Sequence, residues 1–296
     1  MFVLKQSSLT FLAGAAVTLA LAACNSSEAP TSMLTQSDAQ SMGQGLTAEV
    51  SALNEGTTYS SSSSMPVSAA STNLDLAPAS TTAGCTPAKS PASPANSDGD
   101  PVPDSVRYDF AGCVVSRPTE TITLSGLIDI LDPTPTATDH AVKSVYTDFS
   151  RSYTELISGK TVTVVENGTR TVSGDSSVLQ RTETNFRTDY TFADGSTATH
   201  VKTWSSTFTA DVPGTVRRDS LPSGTWNVTG MSTWTKGTSS YSLAVTTNPQ
   251  LHYNATCSVA PKFDAGTLTA VVTRNAQTTT VTIQYTACGQ YTVTRS

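Results

Sequence analysis

Beyond residue 23 the chain has no run approaching the roughly 20 consecutive apolar residues that span a bilayer as a helix. Charge is scarce too, with 17 Lys and Arg against 23 Asp and Glu and a formal net charge of −6. The basic residues are scattered, which excludes the clustered cationic footprint of a nucleic-acid-binding surface. Histidine is limited to His140, His200 and His252, isolated from one another in sequence. Neither a G-x-S-x-G elbow nor an H-E-x-x-H pair occurs, so two common hydrolase signatures are missing. Ser158-Gly159-Lys160-Thr161 copies the end of a phosphate-binding loop, but Thr154 stands where that loop needs its first glycine. Its flanks read as strand, and the match is one of chance.

What is present begins at the N-terminus. Lys5 precedes an apolar stretch from Leu9 to Leu21, which ends in Leu21-Ala22-Ala23-Cys24. This resembles the lipobox of a bacterial lipoprotein signal peptide. The resemblance implies that residues 1–23 are removed, that the Cys24 sulfur receives a diacylglycerol, and that the mature chain is held on a membrane by acyl chains alone. Each buried methylene is worth about 0.8 kcal/mol, so two or three chains make a durable anchor. Asn25 follows the cysteine in place of the Asp that retains enterobacterial lipoproteins in the inner membrane. By the same resemblance, the expected location is the outer membrane of the cell envelope.

With Cys24 set aside, Cys85, Cys113, Cys257 and Cys288 remain, an even number in an exported chain. That count favours two disulfides. No pair has the close spacing of zinc ligands, and the histidines lie far away. Of three possible connectivities, Cys85–Cys113 with Cys257–Cys288 is expected, because each pair closes a local segment. Loops of that size contribute about 3–4 kcal/mol each in the chain-entropy account.

Residues 24–95 are dominated by Ser, Thr, Ala and Pro, a composition that buries too little apolar surface to offset its ordering entropy. A mobile tether is expected there, interrupted by one island. Met42, Leu46, Val50 and Leu53 fall at helical spacing, with Ser37 and Asp38 as capping candidates and Gly56 as a stop. This predicts a short helix over about 37–54, weakened by Gly43 and Gly45, that packs on the downstream domain. From about residue 106 the period becomes two, and residues 96–296 read as an acidic loop followed by a β domain. Ile122, Leu124, Ile128 and Ile130 share one face; Val145, Phe149 and Tyr153 share another; Phe186, Tyr190 and Phe192 alternate with charge. Threonine, suited to a half-wet pleated surface, is abundant. Hairpin turns are expected at Asn167-Gly168, Asp194-Gly195 and Lys236-Gly237, and Leu268–Thr273 pairs with Thr280–Thr286. The fold class is therefore all-β, an antiparallel meander of eight to eleven strands. It either closes as a barrel or sandwich or, as preferred here, stays an open curved sheet with the helix against its concave side.

The stretch Asn96-Ser97-Asp98-Gly99-Asp100-Pro101-Val102-Pro103-Asp104 resembles the acidic calcium loops of thrombospondin type 3 repeats. The resemblance implies one Ca²⁺ held by Asn96, Asp98, Asp100, a backbone carbonyl near Val102, and Asp104. Asn96 departs from the usual first Asp, and Pro101 stands where these loops place a left-handed glycine. The alternative is a solvated acidic turn. The wider order of lipobox, helix, Pro-rich spacer, acidic loop and Thr-rich β domain resembles bacterial surface lipoproteins, which supports the architecture and implies no substrate.

Trp204, Trp226 and Trp234 are either core or platforms that stack on sugars, and core is expected in a chain with 7% aromatics. Glu155, Glu166 and Glu183 are placed on the wet face of the sheet, although a glycosidase pair among them is conceivable. Three functions follow. One is a lipid-anchored envelope protein with a non-enzymatic structural or binding β domain, its partner an envelope protein or a glycan. The others are a carrier of an apolar ligand in the curved sheet and a hydrolase without a familiar motif. The concave face distinguishes them.

Overall fold

The computed structural model describes residues 34–54, 86–100, 102–116, 120–137, 140–217 and 220–296. Cys24, Cys85 and Gly56 lie outside this set. The first element is helix α1 (Gln36–Ser51), continued by a 3₁₀ turn, Ala52–Asn54. Strands β1 (Ala88–Ser90), β2 (Ser105–Asp109), β3 (Cys113–Ser116), β4 (Glu120–Leu131), β5 (His140–Glu155), β6 (Thr161–Gly174) and β7 (Val178–Thr191) follow. Then come β8 (Thr197–Ala210), β9 (Gly224–Lys236), β10 (Ser239–Thr247), β11 (Leu251–Tyr253), β12 (Phe263–Arg274), β13 (Gln277–Ala287) and β14 (Gln290–Arg295).

All fourteen strands among the described residues join one antiparallel sheet, twelve of them in the order β1-β2-β4-β5-β6-β7-β8-β9-β10-β12-β13-β14, with β3 and β11 off that path. This is the expected meander in its open form, with β1 and β14 as its edges among the described residues, and with fourteen strands where eight to eleven were expected, the short β1, β3 and β11 among them. Two lanes hold strands end to end: β2 and β3 share one side of β4, and β10 and β11 share the lane between β9 and β12. The hairpins at Asp194-Gly195 and Lys236-Gly237 and the β12–β13 pair are as the sequence predicts.

Asn167-Gly168 corrects the third hairpin, because β6 runs straight through it. Here β5 and β7 each carry an extra residue relative to both neighbours, so the registers slip together between Tyr146 and Phe149 and between Glu183 and Phe186. Asp148 and Asn185, at the bulges, have φ of 47° and 50°. Gly168 serves close approach: a Cβ there would lie 2.9 Å from Phe186 Cα. Asn167 then reaches across to the β5 bulge, its Oδ1 accepting from the Asp148 amide at 2.8 Å. A bulge bends and twists its strand, and two of them side by side bend the sheet along a line. The slip also reverses parity within β5. Phe149 and Tyr153 are buried while Val145 is only partly so, which separates residues that simple alternation groups together.

Helix α1 lies inside the bend. Thr35 caps it, its Oγ1 accepting from the Asp38 amide at 3.0 Å and donating to Asp38 Oδ2 at 2.8 Å. The cap is thus two residues before the expected pair, and Asp38 completes it from the third helical position. Ala39, Met42, Leu46 and Val50 are fully buried, and so are Gly43 and Gly45 on other sides of the helix. A Cβ at Gly43 would stand 2.6 Å from Val293 of β14, and one at Gly45 2.7 Å from the Trp234 ring of β9. Those glycines, a weakness in an isolated helix, are where the sheet presses closest. At the other end, Arg181 of β7 donates to the Ala52 and Leu53 carbonyls at 2.7 and 2.5 Å. On a flat sheet β7 and β14 would stand about 29 Å apart. A helix about 10 Å across touches both only because the sheet curls around it.

Candidate functional site

The acidic loop is built from side chains that accept from nearby backbone amides. Asn96 Oδ1 accepts from Gly99 N at 2.8 Å, Asp98 Oδ1 from Asp100 N at 3.0 Å, and Asp100 Oδ1 from Val102 N at 2.6 Å. Gly99, with φ of 80°, makes the reversal that only a residue without Cβ takes freely. Asn96 Nδ2 also donates to the Asp100 carbonyl. Asp104 closes the base of the loop, accepting from Ser97 N at 2.8 Å and Ser97 Oγ at 2.6 Å. Those bonds to Ser97 hold its carboxyl below the usual carboxylate range. The Val102 side chain is buried in the apolar core.

Asn96 and Asp104 are thus occupied in holding the loop's own shape and Val102 in the core, and the carboxylate group of the loop draws in a residue from elsewhere. One oxygen from each of Asp98, Asp100 and Asp132 lies within 4.8 Å of the others. Asp132 follows β4 directly. The pairing of β2 with β4 sets Ser105 opposite Leu131, and the Asp132 amide donates to the Asp104 carbonyl at 3.3 Å. Its Oδ1 accepts from Thr134 N at 2.8 Å. Asp132 Oδ2 and Asp98 Oδ2 are buried and accept no hydrogen bond. Sequence reading missed Asp132, because it lies 28 residues beyond Asp104 and only strand register brings it to the loop. Its one local signal is a carboxylate placed directly after a strand.

A second constellation fills the concave face. Lys202 of β8 reaches Glu49 of α1 and stands 3.1 Å from Glu183 Oε2, an ion contact without hydrogen-bond geometry. Tyr190 Oη donates to Glu49 Oε1 at 2.9 Å, and His200 Nδ1 lies 3.3 Å from the same oxygen. Glu183 Oε1 accepts from Arg170 Nε and Arg181 Nη2, both at 2.8 Å. Arg151 donates to Glu166 at 2.6 Å. All these groups are buried, which corrects the placement of Glu166 and Glu183 on the wet face. The parity slip at the β7 bulge lets both Glu183 and Phe186 face inward. Burial alone would raise the carboxyls of Glu49 and Glu183. Burial is the largest single effect, but Lys202 together with His200 at Glu49, and together with Arg181 and Arg170 at Glu183, outweighs it, and both acids stay well below their ordinary pKa. Such locked carboxylates do not exchange protons near neutrality. Glu155, by contrast, is exposed at the β5–β6 turn and accepts from Ser158 Oγ at 2.5 Å.

His252 is held between two acids, with Nδ1 2.6 Å from Asp264 Oδ1 and Nε2 3.0 Å from Asp211 Oδ2. Partial burial would lower its pKa, and the bonds and charges of Asp264 and Asp211 outweigh that and raise it. Trp204, Trp226 and Trp234 are buried, as expected of core. Cys257 and Cys288 form a disulfide. Cys113 is also disulfide-bonded, and its expected partner Cys85 lies outside the described residues. A half-open cleft of about 450 Å³ lies beside α1, walled by Tyr190, Phe192 and Trp234 and rimmed by Gln44, Lys160 and Asp194. That volume is in the range of small-molecule sites.

Fold and site together define, among the described residues, an open antiparallel β-sheet wound around one α-helix, with a charged interior and an acidic loop against one strand end. Compared with protein-family models, curated proteins and solved structures, the chain matches none.

Proposed function

We propose that the protein is a lipid-anchored envelope lipoprotein whose β domain is a non-enzymatic structural or binding module. The anchor rests on Leu21-Ala22-Ala23-Cys24. The observation that carries the non-enzymatic half is the state of the concave face. It holds α1 rather than an apolar void, which disfavours the carrier, and its acids are saturated by Arg, Lys and Tyr, which disfavours the hydrolase. The cleft beside α1 is the natural place for a small ligand, an envelope glycan among them.

Because α1 belongs to the domain, the stalk ends near residue 34 rather than near residue 95. Ten fully extended residues reach at most about 35 Å, so a chain lipidated at Cys24 holds the domain close to the bilayer. Replacing Cys24 with Ser tests the anchor. The wild-type protein is expected to sediment with membranes and need detergent for release, and the variant to appear in the soluble fraction. A variant that still sediments and resists salt and carbonate overturns the assignment.

A further inference from the structure

We propose that Asp98, Asp100 and Asp132 bind one divalent cation, calcium for preference, and that the ion pins the acidic loop to the end of β4. Three carboxylates with oxygens inside 4.8 Å repel one another unless a positive charge sits among them. Asp132 is 93% buried and its Oδ2 has no hydrogen-bond partner, an arrangement that costs free energy in the absence of a ligand. Asp98 repeats the pattern, with Oδ1 taken by a backbone amide and Oδ2 buried without a partner. Two oxygens each about 2.4 Å from a shared calcium are at most about 4.8 Å apart, and the three oxygens all lie within that limit. Magnesium demands a strict octahedron and sheds its waters reluctantly, so a partly hydrated set of three carboxylates suits calcium better. Water completes the shell, as it does in calcium loops that supply few protein ligands.

The ligand set differs from the one that resemblance to thrombospondin type 3 loops implies. Asn96 and Asp104 are engaged in holding the loop's own shape, and Asp132 takes a ligand position from a strand 28 residues away. The site is therefore long-range: it forms only when β2 has paired with β4. It does not depend on the lipid anchor, so its failure and the failure of the anchor assignment are separate results.

The test uses the purified full-length protein, stripped with EDTA and then titrated with CaCl₂ or MgCl₂. Calcium at a few millimolar is expected to raise the melting temperature by about 2–5 °C, and magnesium by less, with a Kd of about 10⁻⁴–10⁻³ M by calorimetry. Asp132→Asn, which keeps an oxygen for Thr134, should weaken calcium binding at least tenfold and erase the increment. Asp104→Asn should lower the melting temperature in EDTA and keep the increment. Asp98→Asn gives the same reading as Asp132→Asn if that variant fails to fold. The proposal is overturned by the absence of calcium-dependent heat at millimolar ion. It also fails if Asp132→Asn retains full binding while Asp104→Asn loses it.

Discussion

Glu49 is the side chain on which the interior charge depends. The sheet's inner face contributes Arg151, Arg170, Arg181 and Lys202 against Glu166 and Glu183, and Glu49 supplies a third carboxylate from the helix. Removing one member of a buried ion set leaves the others desolvated and underpaired. Glu49→Gln is expected to destabilise the protein by about 3 kcal/mol in urea unfolding, and the pair Glu49→Leu with Lys202→Met to recover most of that. A loss below about 0.5 kcal/mol for the single change would mean that Lys202 is satisfied by Glu183 alone. His252 gives the pH-dependent counterpart. Its folded pKa lies above the ordinary 6.5, so its contribution to stability is full below about pH 6.5 and fades as pH rises through the folded value. The imidazole should titrate above 6.5 by NMR and fall back in Asp264→Asn. An unchanged midpoint in that variant would remove Asp264 from the account. None of these partnerships was legible from the sequence, which shows a Glu or a His but not the strand register that surrounds it with charge.

Elements were more legible than partners, and the errors fall at the bulges. Met42, Leu46, Val50 and Leu53 identified the helix, because helical periodicity survives even where glycines lower propensity. Asn167-Gly168 misled, because the dipeptide that favours a tight hairpin also suits a position where one strand crowds another. This difference is measurable. Gly195 sits at a hairpin tip with φ of 80° and open space where a Cβ would go, whereas Gly168 faces the Phe186 backbone. Gly195→Ala should cost about 1 kcal/mol of backbone strain, and Gly168→Ala at least 2–3 kcal/mol, since backbone must also move. Equal losses in thermal unfolding would return Gly168 to the status of an ordinary turn glycine.

For the whole molecule, alternation along β4 and β7 pointed to an antiparallel meander, and hairpin turns between long runs fixed the neighbours. Faces that are apolar on one side and rich in threonine on the other favoured an open sheet over a barrel or sandwich without deciding between them. What alternation could not convey was a charged centre within the apolar face, because single Arg, Lys and Glu residues within a strand read as solvent contacts until the partner strands are known. The placement of α1 carries a consequence in time. The helix leans on β14 as well as on β7 to β9, and the Arg295 side chain donates to the Leu34 carbonyl across 261 residues of sequence. Ribosomes deliver a chain N-terminus first. The first element to emerge has therefore no finished seat until the last strand arrives, and the pairing of distant segments makes such folding slow. Until then its apolar stripe stays open to chaperones, to membranes and to other copies still in passage.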